Sequence, residues 1–196
     1  MSAQRTPFLS PAEYLEQERR AERKSEYLQG EVFAMAGASR RHGLIVTNII
    51  AELRQQLKGK PCEVYASDLR LRVTPAGLYT YPDVMVVCGD VQFADDRKDT
   101  VLNPAVLIEV LSESTRDYDR GRKFEYYRTL PSLKEYLTVA QDKPHIEHWM
   151  RQEEDRGMFV EFRNLGQTIP LESIACTLPL TEIYDKIDWA AAGEAE

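Results

Sequence analysis

Cysteine is scarce in this chain: Cys62, Cys88 and Cys176 are three in 196 residues, far apart, odd in number and without a C-x-x-C pair. That pattern argues against a disulfide framework and a zinc site, and fits a reduced, cytoplasmic protein. Long hydrophobic runs are missing as well. Nothing approaches the roughly 18 apolar residues that span a bilayer, and the N-terminus is polar rather than a signal sequence, so no membrane role is expected. Positive charge is in deficit, with a formal net charge of −7, which opposes nucleic-acid binding by the chain as a whole, because phosphate recognition is largely electrostatic. Tryptophan occurs only twice, too little to line a sugar cleft, which disfavours a two-carboxylate glycosidase. Repeats and low-complexity linkers are absent. With 43% hydrophobic residues the chain suits one core, so a single domain is expected over residues 1–196, its core at about 7–186 and a loose tail at 187–196.

What is present reads as α+β. Ser10 and Glu13 flank Pro11 in a capping box that opens a helix running to about Lys24. "EYLQGEVFAMAG" predicts a hairpin turning at Gln29-Gly30. Ile45, Ile49, Leu53 and Leu57, four apart, predict a helix from Ser39 to near Gly59. "CEVYASDLRLRV" alternates with a change of apolar parity, which predicts one strand bulged at Ser67-Asp68. Val84 to Cys88 and Val106 to Leu111 are short apolar runs typical of strands buried on both faces. "STRDYDRGRKFEYYRTL" predicts a helix capped at Ser114 or Thr115. The strands "EYLTVA", "HIEHWM" and "MFVEF" follow, and "LTEIYDKI" closes the chain as a short helix.

Two carboxylates stand out against this pattern. Glu109 lies inside an apolar strand, where an ionised group is costly unless it is paired or metal-bound. Asp83 stands at the entrance of another core strand. Together they supply the hard oxygen ligands that Mg²⁺ accepts alongside water and phosphate oxygens. A basic helix begins a few residues after Glu109. The set suggests a metal-dependent phosphodiesterase, in which a nearby lysine orients water or neutralises an oxyanion. Structural alternatives remain open: Asp83 as a turn residue, Glu109 in a buried ion pair with Arg70 or Arg72, and Lys123 as the i+4 surface partner of Asp119.

"YPDVMVV", "PAVLIEVLSESTRDYDRGRKFEYY" and "LKEYLTV", with the opening "EYLQGEVFAMAGASRRH", closely resemble the Uma-two family of restriction-endonuclease-like proteins, a branch of the PD-(D/E)XK nuclease superfamily. The resemblance spans about Pro7 to Lys186. It implies a mixed central β-sheet flanked by helices, with Asp83 as the aspartate of the PD pair and Glu109 as the second acid, both binding Mg²⁺ or Mn²⁺. The superfamily's usual lysine position, two after the acid, holds Leu111; the family's displaced lysine matches Lys123 on the next helix. Glu26, Glu31, His42 and Asp68 match further polar positions, and Asp119 lies one turn before Lys123. Glu113, Tyr81, Leu137 and Ala140 depart from the family's usual residues without removing a proposed ligand.

DNA, in duplex form, is the implied substrate, with Arg116, Arg120, Arg122, Arg40 and Arg41 as its binding residues and a homodimer as the expected assembly, since two sites cut two strands. The rival reading is a non-catalytic regulatory or interaction protein that keeps the fold. His145 and His148, three apart on a predicted strand, fall on opposite faces and cannot form a two-histidine metal site.

Overall fold

A computed structural model describes residues 8–35, 37–112, 115–153 and 156–189. Its centre is a six-stranded sheet in the order β11-β10-β9-β8-β6-β3. The strands are β3 (Cys62–Ala66), β6 (Val84–Cys88), β8 (Val106–Leu111), β9 (Glu135–Ala140), β10 (Ile146–Arg151) and β11 (Gly157–Phe162). Only β8 and β9 pair in parallel; the other neighbours are antiparallel. The three strands expected after the basic helix are thus present and adjacent.

Alternation along each strand sorts side chains between two faces. Val84, Val86, Val106, Ile108, Leu137 and Ile146 pack against Ile45, Ile49 and Leu53 of α2 (Arg40–Gln56). Met85, Val87, Leu107 and Tyr136 take the other parity and pack with Tyr127 and with Leu71, Val73 and Leu78. Those last three belong to a second sheet, β2-β1-β5-β4-β7, built from β1 (Ser25–Leu28), β2 (Glu31–Ala34), β4 (Arg70–Val73), β5 (Leu78–Thr80) and β7 (Thr100–Val101). Glu109 shares the parity of Leu107, so it points away from α2.

The hairpin turns at Gln29-Gly30 as expected, with φ of 48° and 100°. Two positive φ values in a two-residue loop are the hairpin geometry that glycine favours. The first helix, α1 (Pro11–Glu18), has the capping box but stops well before Lys24. Its last carboxylate, Glu18, accepts hydrogen bonds from Ser25 N and Oγ, which turns the chain into β1. The expected bulged strand is two strands: β3 and β4 lie in different sheets, and the parity change marks a turn between them.

Cys62 and Cys88 are directly opposed in the β3–β6 register and joined as a disulfide, with Cα atoms 4.0 Å apart. This corrects the expectation of a reduced chain whose cysteine pattern argues against disulfides. Residues 26 apart in sequence become neighbours only through strand pairing, which the spacing rule does not see. Cys176 is buried as a free thiol, in the hairpin β12 (Thr168–Leu171) and β13 (Cys176–Pro179). The short helix α5 (Leu180–Ile183) follows. Within the segment 187–196, expected to be loose, Ile187 and Trp189 pack on the core; the remainder of that segment lies outside the described residues.

Candidate active site

The basic helix runs from Arg116 to Tyr127 and is not regular. α3 (Arg116–Tyr118) passes into a π turn, Asp119–Lys123, and then into α4 (Phe124–Tyr127). Thr115 precedes it without a side-chain cap hydrogen bond, and Ser114 lies outside the described residues. A π turn widens the spacing of side chains and is common at functional sites. Here both of its ends, Asp119 and Lys123, are buried. Stacking of Phe124 on Tyr136 of β9 fixes the helix against the sheet.

Lys123 Nζ stands 3.0 Å from Glu109 Oε1, 3.1 Å from Glu26 Oε1 and 3.3 Å from Asp119 Oδ1. The Tyr127 hydroxyl donates to the same Glu109 oxygen at 2.7 Å. Lys123 is therefore no surface partner of Asp119. Glu109 pairs with neither Arg70 nor Arg72: Arg70 donates to Tyr81 and Thr100, and Arg72 lies over the Tyr79 ring. Glu26 comes in from β1, where Thr80 of β5 donates to it.

One position beyond the Val84–Ile108 pair, the β6–β8 register brings Asp83 beside Glu109. Asp83 Oδ2 accepts from Val110 N at 2.8 Å and pairs with His42 Nε2 at 3.1 Å. His42 is held by Ser39, whose side chain caps α2 through His42 N; Ser39 also donates to Gln141, which donates to Leu111 O. The start of α2, the end of β8 and Gln141, the residue after β9, are thereby tied into one support.

Charge in this pocket is unbalanced. Glu26, Glu109 and Asp119 surround a single ammonium, with Asp83 next to them. Burial pushes the Glu109 carboxyl up to about 8, helped by Asp119 and Asp83 and opposed by Lys123. Asp119 is raised too, again chiefly by burial. Burial disfavours the Lys123 ammonium, but Glu109, Tyr127, Glu26 and Asp119 outweigh it and hold the group charged.

The donor set fits a hard divalent cation. The structural donors fall on one oxygen of each acid, Asp83 Oδ2 and Glu109 Oε1. Asp83 Oδ1 and Glu109 Oε2 accept no hydrogen bond among the described residues. Two oriented carboxylates in a site with excess negative charge are the ligands Mg²⁺ or Mn²⁺ takes.

Matched over residues 11–181, the sequence profile of Uma2, described as "Putative restriction endonuclease", covers most of the chain. The chain belongs to the Uma2 family. Similar relatives are two uncharacterized proteins of Synechocystis sp. (strain PCC 6803). One, sll1609, is 36% identical over 167 residues, 85% of this chain and 93% of its own. The other, slr1290, is 34% identical over 180 residues, 91% and 92% of the two chains. In three dimensions this Uma2 chain is similar to the crystal structure of "a putative nuclease belonging to DUF820" from Anabaena variabilis ATCC 29413. The TM-score is 0.71 with 16% identity, over 88% of this chain and 96% of that one. The fold is that of restriction-endonuclease-like nucleases, as the sequence resemblance implied.

Of the candidates from sequence, the structure gathers Asp83, Glu109, Lys123, Glu26, His42 and Asp119. It does not gather Glu31, exposed at the hairpin, or Asp68, which lies in an exposed turn and pairs with Lys24. The arginines are divided: Arg116 is paired with Asp142 and Arg120 with Glu147, while Arg41 donates to Asp188 O. Arg40 and Arg122 are exposed on α2 and the π turn. Sequence reasoning misses Tyr127 and Thr80. Tyr127 has a legible signal, four residues after Lys123 in a helix; Thr80 has none, since its short strand is visible only through its pairing with β1 and β4.

Proposed function

We propose that this chain is a divalent-metal-dependent endonuclease that hydrolyses phosphodiester bonds in duplex DNA. The observation that carries the reading is the Lys123 ammonium, 3.0 Å from Glu109. It restores from a helix the acid-plus-lysine grouping that Leu111 breaks in the strand. A lysine's four-carbon stem makes that substitution of backbone position feasible.

Asp83 and Glu109 would hold the cation, their orientation kept by His42, Val110 N and Tyr127. A bound Mg²⁺ or Mn²⁺ would supply charge for the phosphate oxygens and lower the pKa of water. Lys123, kept charged, serves as an electrostatic group at the phosphate or the water rather than as a base. Glu26 and Asp119 keep its ammonium aimed at Glu109. Arg122 offers exposed charge for the DNA backbone, and Arg40, Arg116 and Arg120 join it by exchanging their present partners for phosphate. A homodimer would present one such site to each strand.

Cleavage of supercoiled plasmid and linear duplex with Mg²⁺ or Mn²⁺, by wild type and Lys123→Met, tests this. Metal-dependent cleavage that the variant loses is expected. One observation favours the rival reading of a non-catalytic interaction protein: Arg116 and Arg120 are already engaged by acids of the same chain. That reading prevails if wild type binds metal yet neither binds nor cuts DNA at low salt.

A further inference from the structure

A second cluster lies on the same sheet face as Glu109 but two strands away. Glu147 of β10 is directly opposed to Glu161 of β11, and like charges at such a position are destabilising. His145 precedes Glu147 by two residues and shares its face. Each of the three offers a ligand atom, and these atoms lie within 4.8 Å of one another. Among the described residues no other group of three or more such side chains comes this close.

We infer that His145, Glu147 and Glu161 form a site for a divalent transition-metal ion of the zinc class, separate from the Asp83–Glu109 pair. A second observation, beyond the facing acids, points to a ligand. His145 retains 9% of its surface, and its Nε2 is buried without a hydrogen-bond partner. Glu161 Oε1 is 3.6 Å from it, too far for a hydrogen bond. Buried polar atoms are nearly always satisfied, and an orphan requires an explanation. Ligand atoms about 2.0–2.2 Å from a tetrahedral zinc lie about 3.3–3.6 Å from each other, so the Nε2–Oε1 separation suits a shared ion.

The carboxylates are also held as ligands are. Glu147 Oε2 accepts from Arg120 Nε at 2.9 Å and Thr138 Oγ1 at 2.7 Å. Glu161 Oε2 accepts from Arg163. Each acid is thus anchored through one oxygen, the outer support that metal-binding carboxylates use. One imidazole with two carboxylates selects Zn²⁺, Co²⁺ or Ni²⁺ over Mg²⁺ or Ca²⁺. At about 4.8 Å per strand, Glu147 stands about 10 Å from Glu109, so the two sites are not one. The ion would offset the Glu147–Glu161 repulsion and fasten the edge strand β11 to β10. This inference does not depend on the nuclease reading.

Calorimetry with Zn²⁺, backed by the visible absorption of Co²⁺ and by melting temperature, tests it on wild type and three variants. The double variant Asp83→Ala/Glu109→Gln should retain one equivalent of Zn²⁺ and a Zn²⁺-dependent rise in melting temperature. Glu161→Gln, a change at a half-exposed edge position, should weaken Zn²⁺ binding at least about tenfold. His145→Asn should weaken it similarly and remove the Co²⁺ absorption of a nitrogen-containing site. If the double variant binds no Zn²⁺, or if Glu161→Gln and His145→Asn both bind as wild type does, the site does not exist.

Discussion

Two buried acids on neighbouring strands, Glu109 of β8 and Glu135 of β9, have opposite characters. Glu135 faces the α2 side, where His148 Nε2 stands 2.6 Å from Oε2 and Ser173 N donates to Oε1 at 2.8 Å. Burial raises its carboxyl, but those hydrogen bonds outweigh burial and hold it below its ordinary value. Glu109 faces the opposite side, where one ammonium is shared among three carboxylates, and its carboxyl is pushed up. A buried acid with its own matched donors is structural. One that must share its cation with other acids keeps negative charge that a further cation would balance. That difference, rather than burial itself, distinguishes a core pair from a candidate site.

Lys123→Met gives the largest expected effect. It should cut DNA cleavage by at least about a hundredfold while leaving Mg²⁺ affinity within a few-fold, since the lysine is not a ligand. Normal cleavage would reduce Lys123 to a structural counter-ion, with the same standing as His148.

Next is stability. Glu135→Ala strands His148 and Ser173 N and should cost on the order of 3 kcal/mol. Thermal melting should fall accordingly, by about 2–4 °C per kcal/mol for a chain of this size. Glu109→Gln should instead keep or raise the melting temperature of the metal-free protein, because it removes repulsion toward Asp83 and Asp119. A large loss of stability in Glu109→Gln would make both acids structural.

The pH dependence of the same variants is a smaller effect of opposite sign at the two sites. With its folded value raised to about 8 from 4.5, Glu109 keeps a proton that the unfolded chain releases. Its contribution to stability therefore declines as pH rises from about 4.5 to 8. The advantage of Glu109→Gln over wild type should grow across that window. Glu135 has a lowered value, so its contribution is present above the unfolded value and is lost as pH falls through the folded one. The deficit of Glu135→Ala should shrink in acid. Denaturant melts at pH 5, 6.5 and 8, with an acid series for Glu135, read both slopes.

The smallest effect concerns DNA affinity in Ca²⁺, which permits binding without cleavage. Neutralising Arg116, Arg120 and Arg122 together should flatten the salt slope by roughly one unit for each arginine–phosphate pair removed. Neutralising Arg19, Arg20 and Arg23 should change it less, since Arg19 is committed to Asp95 and Asp99. Equal effects would detach DNA binding from the basic helix at 116–127.

Much of this is legible along the chain. The Gln29-Gly30 turn, the four-residue spacing of α2 and the apolar β8 run with Glu109 inside it are local patterns, and local patterns survive into the fold. Lys123 is legible as a position, although its burial is not, because the π turn that directs it inward leaves no plain sequence mark. His42 against Asp83, Tyr127 against Glu109 and Cys62 against Cys88 depend on which strands and helices become neighbours. The exchange from β3 to β4 across two sheets reads as a bulge in the sequence, since a parity change alone does not separate a bulge from a turn.

The central claim is that Asp83 and Glu109 together bind a divalent cation. It is tested most directly by calorimetric titration of Mg²⁺ and Mn²⁺ in the Glu161→Gln background, which weakens any contribution of the second cluster to the signal. The account predicts saturable binding that Asp83→Ala and Glu109→Gln each abolish, with the folded state intact by melting. Unchanged binding in both variants, or no binding in the protein that carries both acids, would contradict it.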